Sequence, residues 1–223
     1  HGRSAPRSKS LSEDAALPPD LFLQALQEIA VQEGCHSDGM DLIGYSIGGR
    51  IAMSLLVLSP TQWERVVLLA PDGLKKALFY DLTVHTIWGR WLWMTLDRHA
   101  DRVNGSIHWL SQRKLLPKHL AQFALFHTET HEMRMMVWKG WRAHRLFWPS
   151  LKDLTRAMES GPADGMHLFF GERDKVIPPS NAMALKKRVN NRLNHVNFHV
   201  LPSGHAMLRE DAIKQLIQRI FES

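Results

Sequence analysis

Apolar residues change their spacing several times along this chain, and each change marks an element. Leu21, Phe22, Leu26, Ile29 and Ala30 recur at three- and four-residue intervals, which predicts a helix opened by Pro18-Pro19-Asp20 and closed near Gly34. Met40 to Gly44 is too apolar to alternate and predicts a strand buried on both faces. Gly49 to Leu58 reads as a helix, Arg65 to Ala70 as the next strand, and Pro71-Asp72-Gly73 as the break after it. Further strands are expected at Gly165 to Gly171 and His195 to Leu201, with a basic helix from Ser180 to Asn190 between them. Ile213, Leu216, Ile217 and Ile220 give a terminal helix, Glu210 to Phe221, one apolar face. Residues 1–17 read as loop.

Alternating strands and helices predict an α/β fold, a mostly parallel sheet flanked by helices. The alternation lapses from 74 to 160, where helix-like runs carry seven of the eight tryptophans: Trp88, Trp91, Trp93, Trp109, Trp138, Trp141 and Trp148. The expected division is therefore a core of residues 1–73 and 161–223 with a helical insertion, a cap or lid, of residues 74–160. Ordinary packing accounts for most of these aromatics. Together with Met94, Met133, Met135 and Met136 they also suit a small, apolar acyl or ring-bearing substrate.

The chemistry begins at Gly44-Tyr45-Ser46-Ile47-Gly48, a G-x-S-x-G pentapeptide between an expected strand and an expected helix. A serine on that junction is held in a strained backbone, its hydroxyl is pushed out of the turn, and the flanking glycines remove side chains that would collide. The helix that follows starts at the serine, so its N-terminal dipole favours a developing oxyanion. Two more loops follow expected strands: Gly171-Glu172-Arg173-Asp174, and Ser203-Gly204-His205. Loops after parallel strands gather at one sheet edge, so a hydroxyl, a carboxylate and an imidazole are expected to meet there. A serine hydroxyl needs a neutral imidazole to take its proton, and a carboxylate on the second ring nitrogen fixes the tautomer. His205 and Asp174 suit those parts, and Asp72, also just past a strand, is the rival acid.

Gly44-Tyr45-Ser46-Ile47-Gly48-Gly49-Arg50, Gly171 through Pro179 and Gly204-His205 together resemble the α/β-hydrolase superfamily, its serine hydrolases with a helical cap in particular. His1-Gly2-Arg3-Ser4-Ala5-Pro6 is similar to the G-H-G-x-S loop after the family's fourth strand. The resemblance implies the α/β-hydrolase fold, Ser46 as nucleophile, His205 as base and the N–H of Ile47 as one oxyanion donor. It favours Asp174 as the acid, because Gly171 to Pro178 fits the family's acid loop. It also implies that the chain is the later part of a longer protein, a core incomplete at its N-terminus. The family's second oxyanion donor then has no counterpart here, a loss worth about 10² to 10³ in rate. Serine in the nucleophile position argues against members that need aspartate there, the dehalogenases and epoxide hydrolases. Esterase, thioesterase, amidase and carbon–carbon bond hydrolase remain open, and Tyr45 to Arg50 also resembles lyase-type members.

The totals narrow the picture. The 223 residues, 44% of them hydrophobic, suffice for one sizeable core. The single cysteine, Cys35, cannot form an internal disulfide and reads as a small buried side chain near a helix end, which fits a reducing, cytoplasmic setting. No apolar stretch approaches the ~20 residues of a membrane span. Net charge is +6, but Lys186, Lys187, Arg188 and Arg192 read as a solvated helix face, and no interleaved basic and aromatic signature points to nucleic acid. His127 and His131 stand four apart at a helical, zinc-compatible spacing, yet Glu129 is one place late for H-E-x-x-H, so no metal and no cofactor is expected. Two functions follow: a serine hydrolase of carboxylic esters or related acyl compounds, and a non-catalytic ligand-binding protein on the same scaffold.

Overall fold

The computed structural model describes residues 16–36, 39–76, 78–116, 118–190 and 192–208, with Asp211, 214–216 and Ile220 beyond them. The His1 to Pro6 motif lies outside these residues, as does most of the expected helix from Glu210 to Phe221. The chain divides into two compact units, one of residues 18–75 and 147–223 and the other containing residues 76–146.

Among the described residues of the first unit four strands, β1 (Met40–Tyr45), β2 (Trp63–Leu69), β3 (Met166–Gly171) and β4 (Val196–Leu201), lie side by side in chain order, each pair parallel. Leu68 pairs with Leu168, which pairs in turn with Phe198. Parallel neighbours need crossovers, and helices supply them. Helix α2 (Ile47–Leu58) joins β1 to β2, and α9 (Met183–Val189) lies between β3 and β4; α1 (Pro19–Gln32) precedes the sheet. Helix α9 buries Leu185 and Val189 and turns Lys186, Lys187 and Arg188 outward, the solvated basic face expected of it.

Helix α8 (Leu151–Ser160), grouped by sequence with the 74–160 insertion, packs on α2 in this first unit. Its Leu154, Ala157 and Met158, at i, i+3 and i+4, are buried with Met53, Leu56, Leu68, Phe169 and Phe170 in one core. Each large side chain so enclosed contributes about 1.5–3 kcal/mol. Strand β3 is buried along its whole length. Strand β1 departs from the expectation of burial on both faces: Asp41 is exposed and Ile43 is 68% exposed, because β1 ends the described sheet and has one strand neighbour.

The second unit is helical: α3 (Leu78–His85), α4 (Ile87–Arg98), α5 (Ala100–Gln112), α6 (Lys118–Thr128) and α7 (His131–Ala143). Trp93 of α4 and Trp138 of α7 are buried and stacked at 5.6 Å, and Trp141 closes on Trp93 at the same distance. Packing thus explains these three tryptophans, whereas Trp88, Trp91 and Trp109 stand exposed. Asp97 clamps α4 to α7 by accepting from Arg134 Nε at 2.6 Å and facing His131 Nδ1 at 2.9 Å. Burial pushes the Asp97 carboxyl up, but hydrogen bonds from Arg134 and His131 outweigh it and hold the group below its usual range. His127 and His131 do not share a helix, since α6 ends at Thr128 and α7 begins at His131. Cys35, expected to be buried, is exposed. Among the described residues no helix is long and apolar enough to cross a membrane.

Candidate active site

The site is built at the carboxyl end of β1. The strand ends at Tyr45, the helix α2 starts at Ile47, and Ser46 between them takes φ 52° and ψ −118°. A non-glycine residue held there costs about 1–3 kcal/mol and persists only where its surroundings fix it. They do so here. The Ser46 N–H donates to the Leu69 carbonyl at 2.9 Å, and the Ser46 carbonyl accepts from the N–H of Gly49 at 2.9 Å and of Asp72 at 3.0 Å. Glycine is required by space at two positions: a Cβ on Gly44 would sit 2.7 Å from the Gly48 carbonyl, and one on Gly49 would sit 2.7 Å from Pro71. A Cβ on Gly48 would meet nothing within 4 Å, so the crowding expected at the motif's last glycine falls instead on the next residue.

The three expected side chains come together. Ser46 Oγ is 3.2 Å from His205 Nε2, and His205 Nδ1 is 2.8 Å from Asp174 Oδ2. Asp174 is buried, and its Oδ1 accepts from the N–H groups of Val176 and Ile177, both at 2.8 Å. The Asp174 loop is tied to the His205 loop through Glu172 N–H to Leu201 carbonyl at 2.9 Å and Arg173 N–H to Ser203 carbonyl at 3.0 Å. The rival carboxylate is engaged elsewhere: Asp72 Oδ1 accepts from the Gly73 N–H at 2.8 Å and its Oδ2 lies 3.7 Å from Arg50 Nη1. Ile47 is the first residue of α2, so the helix ladder leaves its N–H unused.

Tyr45 was not singled out by the sequence. Its hydroxyl donates to the His205 carbonyl at 3.0 Å and its ring lies 5.5 Å from the imidazole, joining the residue before the serine to the loop that carries His205. Burial, and then the negative charge of Asp174, push its phenol above the usual value. The sequence signal was a polar-tipped aromatic ending an apolar strand, and only the fold supplies its partner. A cleft of about 400 Å³ opens beside His205, lined also by Arg173, Ser203, Asp211 and Gln215, but Ser46 does not line it. Among the described residues no group of three or more His, Cys, Asp or Glu is placed to hold a metal ion. A hydroxyl, an imidazole and a buried carboxylate in this order form a path for moving the hydroxyl proton to Nε2 while the carboxylate faces the ring charge that results.

A family model described as "Alpha/beta hydrolase family" matches residues 1–219. The fold is similar to that of the meta-cleavage product hydrolase CumD from Pseudomonas fluorescens IP01, in a mutant form complexed with acetates, at TM-score 0.53 and 16% identity over 97% of this chain and 75% of that one. It is similar to 2-hydroxy-6-oxo-6-phenylhexa-2,4-dienoate hydrolase (BphD) from Rhodococcus sp. strain RHA1 at TM-score 0.55 and 17% identity, over 93% and 74% of the two chains. A thermophilic esterase from Thermogutta terrifontis gives TM-score 0.55 and 14% identity over 92% and 74%. No curated protein matches the sequence.

Proposed function

The chain belongs to the alpha/beta hydrolase family, and from that premise we propose that it is a serine hydrolase that cleaves a carboxylic ester or related acyl compound through an acyl-enzyme on Ser46. One observation carries this reading above the others: Ser46 Oγ is 3.2 Å from one nitrogen of an imidazole whose other nitrogen is 2.8 Å from a buried carboxylate.

In the first half-reaction Oγ attacks the acyl carbon while His205 Nε2 takes its proton. Asp174 holds the ring in the tautomer that leaves Nε2 free to accept, and offsets the positive charge the ring gains. The acyl oxygen gathers negative charge as the carbon becomes tetrahedral, and the Ile47 N–H together with the N-terminus of α2 stabilises it. His205 then returns the proton to the leaving alkoxide, and the alcohol departs. Water repeats the sequence on the acyl-enzyme, giving its proton to His205, and Ser46 is restored as the carboxylic acid leaves. The helices of residues 76–146 are read as the cap, and their tryptophan and methionine content supports an apolar acyl or ring-bearing substrate.

Labelling with a fluorophosphonate probe tests the reading. The wild type is expected to label and Ser46→Ala to lose the label; an unlabelled, folded wild type supports a ligand-binding protein on the same scaffold instead. A second reading is carbon–carbon bond hydrolysis, which the similarity to CumD and BphD supports. Turnover of a 2-hydroxy-6-oxo-dienoate, with p-nitrophenyl esters left intact, would favour it.

A further inference from the structure

Arg50 is wholly buried, a rare state for a guanidinium. It lies one turn beyond Ser46 on α2, its Nη1 is 3.7 Å from Asp72 Oδ2, and its guanidinium sits 4.6 Å over the Trp148 ring. A side chain so enclosed does not reach a substrate in this arrangement. What it touches instead is the turn after β2. That turn is pressed onto it: Gly73 has φ +98°, and a Cβ there would lie 2.8 Å from Arg50 Cγ.

The turn in its turn grips the elbow. The Asp72 N–H donates to the Ser46 carbonyl at 3.0 Å, beside the donation from Gly49 at 2.9 Å. The Ser46 carbonyl belongs to the same peptide unit as the Ile47 N–H. A trans peptide is planar, with its C=O and N–H pointing in opposite directions. Two donors fixing the carbonyl on one side therefore fix the direction of the N–H on the other.

We propose that Arg50 is a positioning residue which, through its ion pair with Asp72, aims the Ile47 N–H at the oxygen that becomes negative during acyl transfer. This role rests on the acyl-transfer reading, but it has a consequence independent of turnover: Arg50 should govern the protection of the Asp72 amide.

The test uses Arg50→Met, Asp72→Asn and the double variant. Asp72→Asn keeps an oxygen for the Gly73 N–H and carries the test where Arg50→Met does not fold. Each single variant should lower kcat per titrated active site about tenfold, short of the about 10²–10³ lost with an oxyanion donor outright. KM and the midpoint of the pH–rate profile should stay put, and the double variant should lose no more than the worse single. Loss of folded protein alone would lower the titrated fraction and leave kcat per site unchanged. By amide exchange, the residue-72 N–H, measured against its rate in the unfolded form of the same variant, should lose at least about tenfold of its protection in the folded variants, while the Ala70 N–H, bonded to the Phe169 carbonyl at 2.7 Å, keeps its rate. Unchanged Asp72 protection overturns the proposal, as does kcat per site within about twofold of wild type or multiplied losses in the double variant. A wild type that fluorophosphonate does not label removes the hydrolase reading only, and the exchange result still decides whether Arg50 holds this turn.

Discussion

Replacing Asp174 by Asn leaves the shape of the site and removes its charge. An asparagine Oδ1 still accepts from the N–H groups of Val176 and Ile177, now at 2.8 Å, so the loop keeps its anchor. The other side-chain atom becomes an NH₂ facing His205 Nδ1, where Asp174 Oδ2 stands at 2.8 Å. A donor there leaves Nδ1 as the acceptor and moves the ring proton to Nε2, the nitrogen that must receive the Ser46 proton. The charge partner of the imidazolium is lost as well. Unit charges about 4 Å apart at an effective dielectric of about 20 attract by about 4 kcal/mol. At about 1.4 kcal/mol per decade, acylation should slow about 10³-fold. The measurement is p-nitrophenyl butyrate hydrolysis normalised by fluorophosphonate titration, with circular dichroism to confirm the fold. Activity within about tenfold of wild type refutes the role given to Asp174. A larger loss in Asp72→Asn than in Asp174→Asn would move the acid to Asp72.

Three further outcomes are expected. Tyr45→Phe removes one hydrogen bond to the His205 carbonyl and keeps the ring, so stability should fall by about 0.5–1.5 kcal/mol, a drop of a few degrees in melting temperature, and kcat per titrated site should fall by up to about tenfold as the His205 loop loosens. Gly49→Ala should lower the melting temperature because its Cβ meets Pro71 at 2.7 Å, whereas Gly48→Ala should leave it unchanged or raised; equal effects would contradict the packing at the elbow. Burial, and then the positive charge of Arg65, hold His167 below its ordinary value of 6.5, so the unfolded chain takes up this proton before the folded one. Its contribution to stability is therefore complete above about pH 6.5 and shrinks as pH falls below it; thermal melts from pH 8 to 5 should show the decline, and His167→Asn should flatten it.

The alternation of apolar runs carried the order of strands and helices, because a parallel strand such as β3, buried at all six positions, leaves a continuous apolar stretch. The order Ser46, Asp174, His205, each past a strand, was enough to anticipate that they meet. What escaped the sequence depends on neighbours far along the chain. Tyr45 stood in the sequence only as the variable position before Ser46 in the pentapeptide, and its partner, the His205 carbonyl, lies 160 residues away. Arg50 looked like a charge on an apolar helix, yet Asp72 and Trp148 enclose it. Composition drew α8 into the helical insertion, while its face of Leu154, Ala157 and Met158 belongs to the core around the sheet. Met40 to Gly44 and Gly165 to Gly171 both read as apolar strands, and position in the sheet separates an exposed Ile43 from a buried Phe170.

The sequential parallel order of β1 to β4 bears on when the candidate site assembles as the chain folds. Ser46 and His205 are 159 residues apart, and their meeting waits on β3 joining β2 and β4 joining β3. Each of these pairings closes a loop, an entropy cost that precedes the contacts it makes. The hydroxyl and imidazole thus become neighbours only when both pairings have formed. In refolding, recovery of fluorophosphonate reactivity should lag recovery of helical circular dichroism, so that reactivity reports completion of the β2–β3 and β3–β4 pairings.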